Sequence, residues 1–265
     1  MTSPLATPEP WDLVSGDYAE EVVPQFEPFA GNALALARVQ AGMRVLDVAC
    51  GPGTLTLLAA KRGARVDAID FAPRMIDELR RRAPADLVTS RVGDGQELPF
   101  DDASYDAAFS MFGLMFFPDR ARGFGELRRC LKDGGAAVVS SWHALDEKVP
   151  LIAGVFQTLR EHLPDLPFGD AHAPLADAEI FESEMCAAGF REVVVHDVRH
   201  TIVFGDMAEA WGSMQRTLAP LALLSRRLGA AWPPLADKML AGLHERLGQG
   251  AQVMTLPAWF GVGRG

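Results

Sequence analysis

The chain predicts an α/β fold in which a mostly parallel sheet is covered by helices on both faces, and three observations carry that expectation. Short apolar runs alternate with helix-period segments from residue 43 onward. Glycine-containing breaks separate them, the sharpest lying between residues 48 and 54. A composition of 49% apolar and 23% charged residues over 265 positions suits a sizeable buried core and argues against disorder.

Residues 43–56, Met-Arg-Val-Leu-Asp-Val-Ala-Cys-Gly-Pro-Gly-Thr-Leu-Thr, organise the rest. Val45, Leu46 and Val48 suit a strand buried on both faces, and Gly51 and Gly53 allow backbone angles and close ligand approach that a Cβ would block. A helix starting near Thr54 aims its free N–H groups at the same spot, which favours a carboxylate or phosphate. Asp47, near the strand's end, would repel a pyrophosphate but could accept hydrogen bonds from an ammonium group or water. A nicotinamide site wants glycine at the third position of its fingerprint, where this chain has Thr56.

The formal charge of −10 repels nucleic acid, and the only basic run, Arg80-Arg81-Arg82, reads as the solvated C-terminal end of a helix. Cys50, Cys130 and Cys186 offer neither a disulfide framework nor metal-ligand spacing, so buried thiols in a reducing compartment and no metal are expected. No basic-then-apolar leader and no membrane-length apolar run is present, which predicts a soluble cytoplasmic protein without a membrane span.

In chain order, residues 1–10, with three prolines, predict a loosely attached lead. Residues 11–40 predict helical pieces interrupted at Pro24 and Pro28, with Trp11, Tyr18 and Phe26 as their large groups. A second strand, 64–70, ends at Asp70, placed to accept bonds from two ribose hydroxyls, and Pro73 opens the next helix. A third strand over 86–93 leads to Gly93-Asp94-Gly95-Gln96-Glu97-Leu98-Pro99-Phe100. There Asp94 can accept from an exocyclic amine, and an Asx-turn role is compatible with that. After a fourth strand, Tyr105–Ser110, come Met111, Phe112, Phe116 and Phe117 at the crevice end of a central strand, where soft and aromatic side chains suit an apolar ligand.

A helix over 120–131 is expected to stop at Lys132-Asp133-Gly134-Gly135, followed by a fifth strand over 136–142. His143, just beyond Trp142, is placed where a general base could reach a substrate hydroxyl or amine. The roughly 45 residues before the sixth strand exceed a simple crossover and predict a cap. It holds a helix over 149–163, a loop over the site at 164–174 and a crossover helix over 177–188. Residues 191–204 are β-rich, 206–248 offer three helices split at Pro220 and Pro233-Pro234, and a last strand near 253–262 closes the sheet antiparallel. Trp211, Met214, Leu218 and Trp232 could reach a substrate or simply pack helices.

Three stretches in order carry a family resemblance. Val-Leu-Asp-Val-Ala-Cys-Gly-Pro-Gly-Thr resembles the first motif of class I S-adenosylmethionine-dependent methyltransferases, with Ala49 where glycine is commonest. Val-Asp-Ala-Ile-Asp-Phe-Ala-Pro-Arg-Met-Ile resembles their second motif, and the stretch from Gly93 to Phe100 resembles the type 11 subfamily, which includes ubiquinone and menaquinone C-methyltransferases. The resemblance implies a Rossmann-like fold with a seven-stranded, mostly parallel sheet and an α-helical cap. Its divisions would be a helical lid over 1–40, a core over 41–145, core and cap over 146–250, and a final strand over 251–265.

It further implies S-adenosylmethionine as methyl donor and S-adenosylhomocysteine as product. The cofactor residues would be Tyr18 on the lid, Asp47, Ala49, Gly51 and Gly53, then Asp70, Phe71 and Met75, then Asp94, Gly95 and Gln96, and finally Ser110, Met111 and Phe112. Phe116, Trp142 and His143 would face a small-molecule methyl acceptor, with His143 as the catalytic candidate. Competing readings are a nicotinamide oxidoreductase, a non-catalytic nucleoside-binding protein and a quinone-ring C-methyltransferase. The oligomeric state stays open, a homodimer being one arrangement the sequence allows.

Overall fold

The computed structural model describes residues 3–164 and 175–265, apart from the side chains of residues 146 and 147. The helices are α1 (Pro8–Asp17), α2 (Val23–Leu36), α3 (Thr54–Lys61), α4 (Pro73–Arg82), α5 (Arg120–Cys130), α6 (Leu145–Lys148), α7 (Pro150–His162), α8 (Ala178–Ala187), α9 (Met207–Thr217), α10 (Ala219–Leu228) and α11 (Trp232–Leu247). The strands are β1 (Arg44–Val48), β2 (Arg65–Asp70), β3 (Val88–Val92), β4 (Tyr105–Met111), β5 (Leu131–Trp142), β6 (Arg191–Phe204) and β7 (Gln252–Arg264). They form one seven-stranded sheet in the order β3-β2-β1-β4-β5-β7-β6, in which β7 alone runs antiparallel to its neighbours. The predicted sheet is therefore the observed one.

Side-chain alternation sorts the two cores. Val45, Phe109, Val138 and Phe260 face α2, α3 and the cap helices, and Leu46, Val48, Ala108 and Val139 face α5 and α8. The same period of two turns Asp47 toward α3, where Thr56 meets it. Because β1 reverses strand order between β2 and β4, its C-terminal end is the switch point at which open α/β sheets leave a crevice.

Three expectations need correction. The lead is anchored, since Ser3 caps a 3-10 turn over Pro4–Ala6, the Trp11 indole donates to the Leu5 carbonyl at 2.9 Å, and Pro8 starts α1 with φ already set. Pro24 and Pro28 do not interrupt the N-terminal helices. A single π-helical segment, Tyr18–Val22, joins α1 to α2 just before Pro24, so the missing proline N–H is absorbed by a local change of hydrogen-bond register. The α5 helix ends at Cys130, and the chain enters β5 at once because Leu131 is buried and pairs with Tyr105. The Gly134-Gly135 pair then makes an irregularity within the strand rather than a helix stop. The loop expected over 164–174 lies, from residue 165 on, outside the described residues.

The cap helices bury Met239, Leu243, Trp211 and Met214 against the sheet. Trp211 donates from its indole to the Ala236 carbonyl at 3.2 Å and packs with Trp232, so the helix-packing alternative accounts for these residues. Among the described residues, no helix is long and apolar enough to cross a membrane.

Candidate cofactor and acceptor site

Two strand tips and one glycine turn make the site. Ala49, Gly51 and Gly53 all adopt positive φ, at 56°, 53° and 95°. Gly53 is the N-cap of α3, and no side chain caps that helix, so its first N–H groups remain available. A Cβ at Gly51 would meet nothing within 4 Å, whereas one at Gly53 would lie 2.4 Å from Leu79. The first glycine opens the turn and the second lets it pack on α4. Ala49 holds a left-handed conformation that alanine adopts at a cost of about 1–2 kcal/mol, which explains why glycine is the commoner residue there.

Two buried carboxylates face this turn. Asp70 accepts from the Gly51 amide at 2.8 Å and from the Ala72 amide at 2.9 Å, tying the tip of β2 to the turn. Burial pushes its pKa up to about 6 against the pull of those amides. Asp47 is 1% exposed; one oxygen accepts from the Thr56 hydroxyl at 2.6 Å, and the other, Oδ1, is buried with no hydrogen-bond partner among the described residues. Burial pushes Asp47 up to about 7, opposed by the Thr56 hydrogen bond and reinforced by the charge of Asp70. A buried acceptor left unpaired costs about 1–3 kcal/mol, so an ammonium group reaching Oδ1 would satisfy an existing need. The residues present fit the amino-acid end of S-adenosylmethionine.

Tyr18, in the π-helical segment that joins α1 to α2, lies near Asp70. Burial raises its hydroxyl pKa, and the negative charge of Asp70 raises it further. Met75 is buried among Val14, Ala72 and Ala219, and Phe71 packs at the edge of that cluster, so both join the lid to the β2–α4 turn.

On the opposite side, Asp94 accepts from the Gln96 backbone amide at 2.8 Å, forming the Asx-turn, and also from the Gln96 side chain. Gln96 in turn accepts from the Asp119 amide at 2.8 Å, which gives it the role of bracing this loop against α5. A Cβ on Gly95 would sit 2.4 Å from the Phe117 ring and 2.7 Å from Val48, so a large ring occupies the space that an alanine at 95 would need.

The tip of β4 completes the wall. Phe112 also has positive φ, 56°, and its amide is held by the Ser140 hydroxyl at 2.9 Å. Its ring stacks on Trp142 with centroids 3.8 Å apart, and Phe26 and Phe29 pack edge-on or tilted against that pair. The Ser110 hydroxyl accepts from the Leu114 amide and shapes the turn beyond the half-buried Met111. Phe116 packs instead against Trp11 of the lid.

His143 is not open to the crevice. It is 2% exposed, stacks on Trp259 at 4.0 Å, takes the Lys148 ammonium on Nδ1 at 3.2 Å and has Nε2 3.5 Å from Asp197 without a hydrogen bond. Burial, followed by the Lys148 charge, lowers its pKa, so the ring is neutral. Ser140 and Arg82 also make hydrogen bonds that shape these turns, and sequence reasoning gave neither of them a place here. Arg82 reaches two main-chain carbonyls, at Ala19 and Pro52, rather than facing only solvent. A serine inside an apolar strand was a signal for the first; nothing in the basic run distinguished the second.

Comparison with known proteins gives the family and the fold. A family model described as a methyltransferase domain matches residues 46–139. The ubiquinone/menaquinone biosynthesis C-methyltransferase UbiE of Citrifermentans bemidjiense is 32% identical over 190 residues, covering 63% of this chain and 77% of that protein. An uncharacterized Mycobacterium tuberculosis protein is 37% identical over 134 residues, 50% of this chain and 48% of its own. The chain thus spans about half the length of the first curated relatives it matches. Among solved structures, Haemonchus contortus phosphoethanolamine N-methyltransferase 2, in complex with S-adenosyl-L-methionine, superposes with a TM-score of 0.57 at 17% identity, over 94% of this chain and 56% of that one. The [4+2]-cyclase SpnF gives 0.54 at 21% identity, over 87% and 80%.

Two outcomes are expected. Gly95→Ala should destabilise the protein by about 1–3 kcal/mol in urea denaturation through overpacking, and adding Phe117→Leu should recover most of the loss. Asp47 and Asp70 bind protons more tightly folded than unfolded, so the folded state gains least from their ionisation. Their contribution to stability is present near pH 4 and is lost as pH rises through about 6 and about 7. Asp47→Asn should flatten the decline in melting temperature across that window, and an unchanged slope would contradict the assignment.

Proposed function

This chain belongs to the S-adenosylmethionine-dependent methyltransferases, and we propose that it methylates a small, partly apolar molecule and releases S-adenosylhomocysteine. The observation that carries the reading is the unpartnered, buried Oδ1 of Asp47, set beside a left-handed glycine turn and an uncapped helix N-terminus. Asp47 and the Gly51–Gly53 turn would hold the methionine end, Asp70 the ribose, and Asp94 with the Gly95 backbone the adenine. When bound, the cofactor supplies a methyl group already activated by sulfonium charge.

The chain's own contribution is alignment and exclusion of water. The ring wall of Phe112, Trp142, Phe26 and Phe29 supports an acceptor with an apolar or planar part, since aromatic faces both cover such a group and attract a neighbouring sulfonium. No charged side chain contributes to that ring cluster; His200, set edge-on to Phe29, is its polar margin. A buried, neutral His143, held between Lys148 and Trp259, is better suited to supporting the β5 tip than to taking a proton from the acceptor. A ring carbon, amine or phenolate acceptor needs only positioning, whereas an aliphatic hydroxyl needs proton removal. The 32% identity to a quinone-ring C-methyltransferase supports the same acceptor class.

A screen of metabolites with isotopically labelled S-adenosylmethionine tests the activity; label transfer to an aromatic or otherwise apolar small molecule is expected, and transfer only to strongly charged, ring-free acceptors would overturn the assignment. Calorimetry should show Asp70→Ala weakening S-adenosylhomocysteine binding by about 1–3 kcal/mol through loss of a charged acceptor. Binding should tighten between pH 5 and pH 8, as the two acids reach the ionised form that accepts the ribose and ammonium donors. His143→Asn should lower the melting temperature by several degrees while leaving turnover of the best acceptor within about threefold, since its role is packing rather than proton transfer.

A further inference from the structure

The lid and the cofactor turn are joined by a single side chain. Arg82, the last residue of α4, donates from Nη1 to the Ala19 carbonyl at 3.1 Å and from Nη2 to the Pro52 carbonyl at 2.7 Å. Ala19 belongs to the π-helical segment that carries Tyr18, and Pro52 is the middle residue of the Gly51–Gly53 turn. A third donor, Nε, lies 3.3 Å from the Glu78 carbonyl and fixes the guanidinium against its own helix. A π-helical segment leaves main-chain groups out of the regular ladder, and a planar, multiply donating fork can collect two such carbonyls at once, as a lysine cannot.

We infer that Arg82 is a positioning residue that latches the Tyr18 segment over the cofactor turn, so that retention of the bound nucleoside depends on a guanidinium that never touches it. This rests on the methyl-donor reading above. The connections are geometric: Asp70 is tied to the Gly51 amide, and Arg82 runs from the neighbouring Pro52 carbonyl to the Ala19 carbonyl beside Tyr18. Opening the lid breaks the Ala19 bond but leaves the turn intact. Loss of Arg82 therefore speeds ligand escape more than it alters the site's shape, and the change appears in dissociation rather than association.

The test uses S-adenosylhomocysteine with the full chain, following tryptophan fluorescence by stopped flow, since Trp11 lies in the lid. Arg82→Gln is expected to raise the dissociation rate about tenfold with association within about twofold, and Arg82→Lys to fall between the two. Arg82→Gln combined with Tyr18→Ala should be no worse than Tyr18→Ala alone, because both act through one element. A dissociation rate equal to wild type, or losses that multiply in the double variant, would overturn the latch while leaving the methyl-donor reading standing. Failure of the wild type to bind S-adenosylhomocysteine would remove that reading, and the latch with it. Circular dichroism checks folding; should Arg82→Gln not fold, Arg82→Lys carries the same comparison.

Discussion

The structure depends on the bond between a buried carboxylate and a glycine amide: Asp70 to Gly51. A charge at 6% exposure is tolerated only with close partners, and the two it has are main-chain N–H groups that no substitution other than proline removes. One of them is available only because Gly51 takes a left-handed conformation. The tip of β2, the end of β1 and the start of α3 are thereby fixed relative to one another by one side chain. Asp47, one strand away, lacks the second half of this arrangement, and its free oxygen marks where an additional donor belongs.

The same economy appears at the other strand tip. Ala49 and Phe112 sit at the ends of adjacent strands, β1 and β4, and both are left-handed. Between them Gly113 leaves no room for a side chain, since a Cβ there would stand 2.3 Å from that of Ala49. Two strained non-glycine residues at neighbouring strand ends are stable only when the surroundings over-determine them. Here the Ser140 hydroxyl holds the Phe112 amide and four rings hold its side chain. Strain so placed sets the Phe112 ring between Phe26 and Phe29 of α2 and the sheet residues Trp142 and Phe260.

What the sequence showed and hid follows from how far each signal reaches. The period of two in β1 and the glycine turn are local, so the strand, the turn and the place of Asp70 at the tip of β2 could be read directly. The sheet's antiparallel last strand and the three cap helices were legible for the same reason. The misreadings were contextual: Pro24 looks like a break unless the π segment before it is known, and Gly134-Gly135 looks like a helix stop unless Leu131 is known to be buried beside Tyr105. His143 occupies the expected strand end, but which face it takes depends on Trp259, more than a hundred residues away. Arg82 was hidden within a run whose other members, Arg80 and Arg81, do pair with carboxylates on their own helix surface.

That difference in reach also separates the rigid floor from its cover. Beneath the site, contacts are buried apolar side chains and sheet hydrogen bonds. Above it, α1 and the π segment rest on a small apolar cluster around Val14 and Met75, supplemented by polar links from Arg82, from Glu21 to Ser213 and Arg216, and from Glu9 to Arg226. Exposed pairs of this kind contribute roughly 0–1 kcal/mol each, too little to make the cover as stable as the floor. Segments of low local stability open without unfolding the whole domain. A site that excludes water during transfer and releases a nucleoside afterwards is served by such a division, with buried acids and glycines fixing the geometry below and a smaller, partly polar set of contacts above.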